Sequence, residues 1–277
     1  MKIRRDQIAI MNIQYKYFPF TKFLDDAVKY GVKNVEVWGA APHFHLQDLT
    51  YLEVQKIHRE IQSRGLNVAC LTPEQCVYPI NLASADASER RRSQKFFEDY
   101  IRAACEIGAD KLLVTSGWGY FDNSNQKDAW EWAKEGIYNL AECGEAHGVK
   151  LALEVLRKDE SNLVNDLPSL KKMLDELDHR NIGGMIDTCP MNLAGESPAD
   201  YIRCLGEDLI HVHFIDGAPR GHLAWGDGIL DMEKYLEEFS EGEYQGYLSL
   251  EITDGRYIPD PEQSVRQSIE KLFSVIK

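Results

Sequence analysis

A chain of 277 residues, 44% apolar, 10% aromatic and 27% charged, can bury a sizeable core as one large domain or two ordinary ones. Its formal net charge of −14 excludes the basic surface that a nucleic acid or an anionic membrane requires. No apolar run reaches the roughly eighteen residues of a membrane span.

The start, MKIRRDQIAIMNI, is basic, but its apolar stretch is too short for a signal peptide and runs into polar YKYF. Six cysteines (Cys70, Cys76, Cys105, Cys143, Cys189 and Cys204) are scattered without a CxxC pair, so reduced thiols in a cytoplasm are expected. Apolar, β-branched runs predict strands at IAIMNI (8–13), VEVWG (35–39), LNVACL (66–71) and KLLVTS (111–116). Four more follow at LALEVL (151–156), NIGGMID (181–187), LIHVHFID (209–216) and YLSLEIT (247–253). Between them lie segments with apolar residues at helical spacing, such as TKFLDDAVKYG, YLEVQKIHREIQSRG, SQKFFEDYIRAACEIG and LPSLKKMLDELD. Thr21 and Asp166 read as helix starts, and Gly31, Gly65, Gly108 and Gly148 as stops. Eight strands alternating with helices, without a linker or a change of composition, predict one closed (β/α)₈ barrel over residues 1–277. The rival, an open doubly wound sheet, lacks a GxGxxG after its first strand.

Two of these strands carry an anomaly. A buried carboxylate costs several kcal/mol unless a proton, a cation or a metal neutralises it, yet Glu154 sits in LALEVL and Glu251 in LSLEIT. In a barrel the chemistry lies at the C-terminal ends of the strands, where Glu154 and Glu251 fall together with Asp187 of strand six and His211 and His213 of strand seven. Two Glu, one Asp and one His form an oxygen-rich set suited to Mn²⁺, Mg²⁺ or Co²⁺ rather than to a thiolate zinc site. The two histidines share a strand face, and His213 is preferred because it is nearer the strand end. Trp38, Tyr78 and Trp118 would wall a pocket at the rim. His43 and His45 either reach a substrate or occupy an exposed loop, and Glu74 either reaches a substrate or caps a helix.

The stretches VEVWGAAPHFH (35–45), LTPEQCVYPIN (71–81), LEVLRKDESN (153–162), MIDTCP (185–190), HVHFID (211–216) and LSLEIT (248–253) resemble the xylose-isomerase-like sugar isomerases and epimerases. Within that superfamily the resemblance is greatest to the ketose 3-epimerases of the tagatose/psicose type and of fructoselysine, over nearly the whole chain. It implies metal ligation by Glu154, Asp187, His213 and Glu251, with Glu154 and Glu251 doubling as the acid/base pair. It also implies that Glu160 holds the hydroxyl end of the substrate, and that Trp225-Gly226-Asp227-Gly228 shapes the pocket through its backbone. Two positions depart from the tagatose type. Pro190 stands where those enzymes carry a histidine, and Pro219, beside Arg220, stands where they carry a substrate-binding arginine.

Epimerisation beside a carbonyl takes a proton from one face and returns one to the other, which suits two carboxylates flanking a cation that stabilises the enediolate. The expected activity is therefore a divalent-metal-dependent 3-epimerase of a ketose or ketose conjugate, with Mn²⁺ preferred. A homodimer or homotetramer is the expected assembly. The alternatives are a metal-dependent C-glycoside deglycosidase, a lyase on the same barrel that would bring a partner subunit, or another sugar isomerase. A related abasic-site endonuclease would need more histidine ligands and a basic rim, and a binding protein would have no use for two buried glutamates.

Overall fold

The computed structural model describes residues 2–75 and 79–276, so Tyr78 lies outside the described residues. Eight parallel strands close into a barrel: β1 (Ile8–Met11), β2 (Asn34–Gly39), β3 (Asn67–Pro73), β4 (Lys111–Val114), β5 (Lys150–Glu154), β6 (Ile182–Asp187), β7 (Leu209–His213) and β10 (Tyr247–Leu250). Neighbouring strands are consecutive around the ring, and β10 closes it against β1. The predicted (β/α)₈ barrel is the observed fold.

Alternation along the strands explains the composition of LALEVL. Leu151 and Leu153 join the main core shared with the helices, whereas Ala152 belongs to a smaller cluster with Cys70, Leu113, Met185 and Ile210. The period of two thus puts Glu154 on the same face as Ala152, toward the barrel axis. Each fully buried leucine of this kind contributes about 1.5–3 kcal/mol through burial. The strand's outer face therefore holds the barrel together while its inner face is free to carry chemistry.

The helices that cover the strands are α1 (Phe20–Lys29), α2 (Tyr51–Gln62), α3 (Ala87–Ile107), α4 (Gln126–His147), α5 (Leu167–Leu177), α6 (Thr188–Leu193), α7 (Pro198–Leu205), α8 (Met232–Glu241) and α9 (Pro261–Val275). Asp166 caps α5 by accepting from Ser169 N, and Gly108 and Gly148 end α3 and α4 with positive φ, a conformation glycine adopts without strain. Thr21 is not a cap: α1 begins at Phe20 after Pro19, so Thr21 lies within its first turn. At Gly184 in β6 a Cβ would come within 2.8 Å of Leu170 Cδ2 and 3.0 Å of Leu205 Cδ1, so glycine lets α5 and α7 lie against the strand.

Five predicted strands end before their runs do: β1 at Met11, β4 at Val114, β5 at Glu154, β7 at His213 and β10 at Leu250. After β7 the Thr188 hydroxyl donates to Ile215 O (2.7 Å) and accepts from Ile215 N, which turns the chain out of the sheet. A two-stranded antiparallel hairpin, β8 (Asp216–Ala218) and β9 (Arg220–Leu223), then intervenes before α8. Buried Asp216 anchors the loop that follows, accepting from the backbone N–H groups of Gly226 and Gly228 at 2.9 Å and Leu230 at 3.0 Å. The five described cysteines are free, and no helix among the described residues is long and apolar enough to cross a membrane.

Candidate metal centre

Parallel pairing sets the heights of the inward-facing residues. Asp187 is level with His213, and His213 with Ser249, two residues before Glu251. Glu154 closes the group from β5. One ligand atom from each of Glu154, Asp187, His213 and Glu251 lies within 4.8 Å of the other three. His213 Nδ1 stands at the middle, 3.2 Å from Glu154 Oε1 and 3.1 Å from Glu251 Oε2, yet it makes a hydrogen bond to neither. Its other nitrogen, Nε2, is 3.0 Å from buried Glu36 Oε1. Since a carboxylate only accepts, Nε2 carries the proton, and in the neutral ring Nδ1 presents a lone pair to two carboxylates. A lone pair facing anions is repulsive unless a positive charge sits between them. Three carboxylates and one imidazole nitrogen, convergent and buried, fit a divalent cation.

The electrostatics follow from the same crowding. Burial, helped by Glu251 and Asp187 and opposed by His213, pushes the Glu154 carboxyl up to about 7. Glu251 is equally enclosed, but His213 and His222 outweigh burial and hold it at about 2. Burial lowers the His213 pKa, but Glu251 and Glu36 more than offset that and leave it well above the usual imidazole range, so without a cation a second ring proton would supply the positive charge between Nδ1 and the two carboxylates.

The remaining predicted residues are arranged around this centre in different ways. Trp38 and Trp118 are half-buried at the ends of β2 and β4. The Trp38 indole N–H donates to Glu74 Oε2 at 3.1 Å, so Glu74 is engaged with a rim aromatic. Glu160 accepts from the Arg157 guanidinium at 2.5 Å and from Arg157 N at 3.2 Å. Burial raises the Glu160 carboxyl, with Arg157 acting against it. His43 is buried and committed at both nitrogens, to Phe18 O at 2.7 Å and Asn12 Nδ2 at 3.1 Å. His45, half-buried, pairs with Asp48 at 3.0 Å. Trp225 is fully buried, its indole donating to Phe214 O at 3.0 Å, so the loop it heads faces the barrel wall.

A family model described as the xylose isomerase-like TIM barrel matches residues 24–275. The chain belongs to that family. Among curated relatives it is 27% identical over 265 residues to fructoselysine 3-epimerase of Shigella flexneri, covering 95% of both chains. It is 26% identical over 215 residues to D-psicose 3-epimerase of Agrobacterium fabrum, covering 74% of this chain and 72% of that one. A solved structure of L-ribulose 3-epimerase superposes with a TM-score of 0.83 at 20% identity, over 96% of this chain and 93% of the other.

Two site residues escape a reading of the sequence. His222, on β9, places Nε2 3.1 Å from Asp187 Oδ2 and Nδ1 3.0 Å from Glu251 Oε2, bridging two carboxylates of the centre. It arrives through the β8–β9 hairpin, which has no hydrophobic periodicity to betray it. Glu36 did carry a signal, the same lone glutamate in an apolar run, in VEVWG.

Proposed function

We propose that the protein is a divalent-metal-dependent 3-epimerase of a ketose or ketose conjugate, with Mn²⁺ the preferred ion. The observation that carries this reading is the placement of Glu154 and Glu251 on two sides of His213 Nδ1, at 3.2 and 3.1 Å. Glu154, Asp187, His213 and Glu251 would hold the ion, which supplies positive charge for the substrate oxygens as the proton leaves C3.

The protein's own groups do the rest. One of the two glutamates takes the C3 proton, the C–H electron pair enters the enediolate, and the other glutamate returns a proton to the opposite face. Reversal of the roles gives the reverse reaction. Trp38 and Trp118 offer apolar faces to the sugar C–H groups and help to exclude water, and Glu160 offers a carboxylate to a hydroxyl.

Substrate choice follows from Pro190 and Pro219. Neither can supply the polar side-chain contacts that would grip the far hydroxyls of a free ketohexose, a loss of about 1 kcal/mol per hydrogen bond. A conjugate can offset that loss with contacts of its substituent. The value of kcat/KM for fructoselysine or a related fructosamine should exceed that for fructose, tagatose or psicose by at least about tenfold, or about 1.4 kcal/mol. Side-by-side kinetics at equal Mn²⁺ check it. Equal values would assign the free ketoses as substrates, and release of an aglycone from a C-glycoside would favour the lyase.

A further inference from the structure

We infer that Glu36 is the positioning residue of the metal centre: it fixes the ring of His213 with Nδ1 turned to the cation, and it is itself kept out of the ligand set by His211 and Thr72. The inference rests on the proposal that Glu154, Asp187, His213 and Glu251 hold a divalent ion.

Glu36 rises from β2, three strands around the barrel from β7, and its side chain is fully buried in the interior. Both carboxylate oxygens are taken. Oε1 is 3.0 Å from His213 Nε2 and accepts from the Thr72 hydroxyl, while Oε2 is 2.8 Å from His211 Nε2. His211 and His213 are two apart on one strand, so both rings point inward, with centroids 5.6 Å apart and planes at 80°. That angle lets two rings address the two oxygens of one carboxylate. Every facing atom is a donor, because the carboxylate can only accept. The proton of His213 is therefore assigned to Nε2, and rotation of its ring would break the bond to Glu36. A ligand histidine held through its second nitrogen by a carboxylate gains both orientation and basicity, and loss of such a partner costs about 10–100-fold in metal affinity.

The converse holds for Glu36. With three donors already satisfied, leaving for the ion would strand two buried imidazole N–H groups and a hydroxyl. This explains why a fourth carboxylate, buried close to the centre, stays outside it. A merely structural role, in which Glu36 only neutralises two buried histidines, predicts a change in stability without a change in the affinity of the folded protein.

Glu36→Gln separates these roles. It keeps the shape, but its amide can accept from only one imidazole and presents N–H groups to the other. Calorimetric titration of metal-stripped protein with Mn²⁺ should show binding about 10–100-fold weaker than wild type. The visible absorption of the Co²⁺-loaded variant should shift as the His213 ring reorients. If Glu36→Gln does not fold, Thr72→Val carries the test, removing one donor to Oε1, with a loss of about three- to tenfold expected. A folded variant that binds Mn²⁺ within about twofold of a tightly binding wild type overturns the role of Glu36 alone. Absence of Mn²⁺ binding to the wild type itself overturns the metal centre and this inference with it.

Discussion

Replacing Glu154 or Glu251 by glutamine should each lower kcat by about 10²–10⁴-fold, the usual worth of a positioned general acid or base. Glutamine nearly matches glutamate in shape, so the cavity remains filled, but it can neither take nor return a proton. The two variants should be about equally damaging, since epimerisation in either direction uses both groups. Each substitution also removes one of the three carboxylate charges around His213 Nδ1. Rates are therefore to be compared at saturating Mn²⁺, with circular dichroism confirming the fold. A variant that keeps more than about a tenth of the wild-type rate contradicts the two-base scheme.

Chelation is the second large effect. Stripping the protein with EDTA should abolish turnover and lower the melting temperature, and Mn²⁺ or Co²⁺ should restore both. A ligand that binds only the native state at about 100 times its Kd stabilises it by about 2.7 kcal/mol. At about 2–4 °C per kcal/mol for a chain somewhat under this size, that is a shift of several degrees. The physical cause is local. Without a cation, Glu154, Asp187 and Glu251 face one another across a buried space, with His213 and His222 offsetting part of their charge. A stripped protein with full activity would rule out the centre as a metal site.

Much of this site could be read in the sequence because the fold is modular. In a parallel barrel, position along the chain gives position around the ring, and a charged residue at a strand end has one place to go. Glu154, Asp187, His213 and Glu251 declared themselves that way. His222 did not, because its contacts with Asp187 and Glu251 depend on a hairpin that folds back over the rim. His43 also could not be judged from APHFH: its partners, Asn12 and the Phe18 carbonyl, come from the segment after β1, far away in sequence. Strand ends were overestimated where the run stays apolar past the sheet, as at Phe214 and Ile215, whose backbones pair with Ser249 O and the Thr188 hydroxyl rather than continuing the β6–β7 ladder.

Solvent exchange tests the proposed chemistry most directly. The Mn²⁺-loaded protein is incubated in D₂O with a panel of ketoses and fructosamines, and the recovered sugars are examined by NMR. Proton removal and return at C3 predicts deuterium at that carbon in the inverted epimer formed by wild type, an epimer that neither Glu154→Gln nor Glu251→Gln should form. Turnover without deuterium at C3, or with deuterium only at another carbon, would contradict 3-epimerisation by this pair of glutamates.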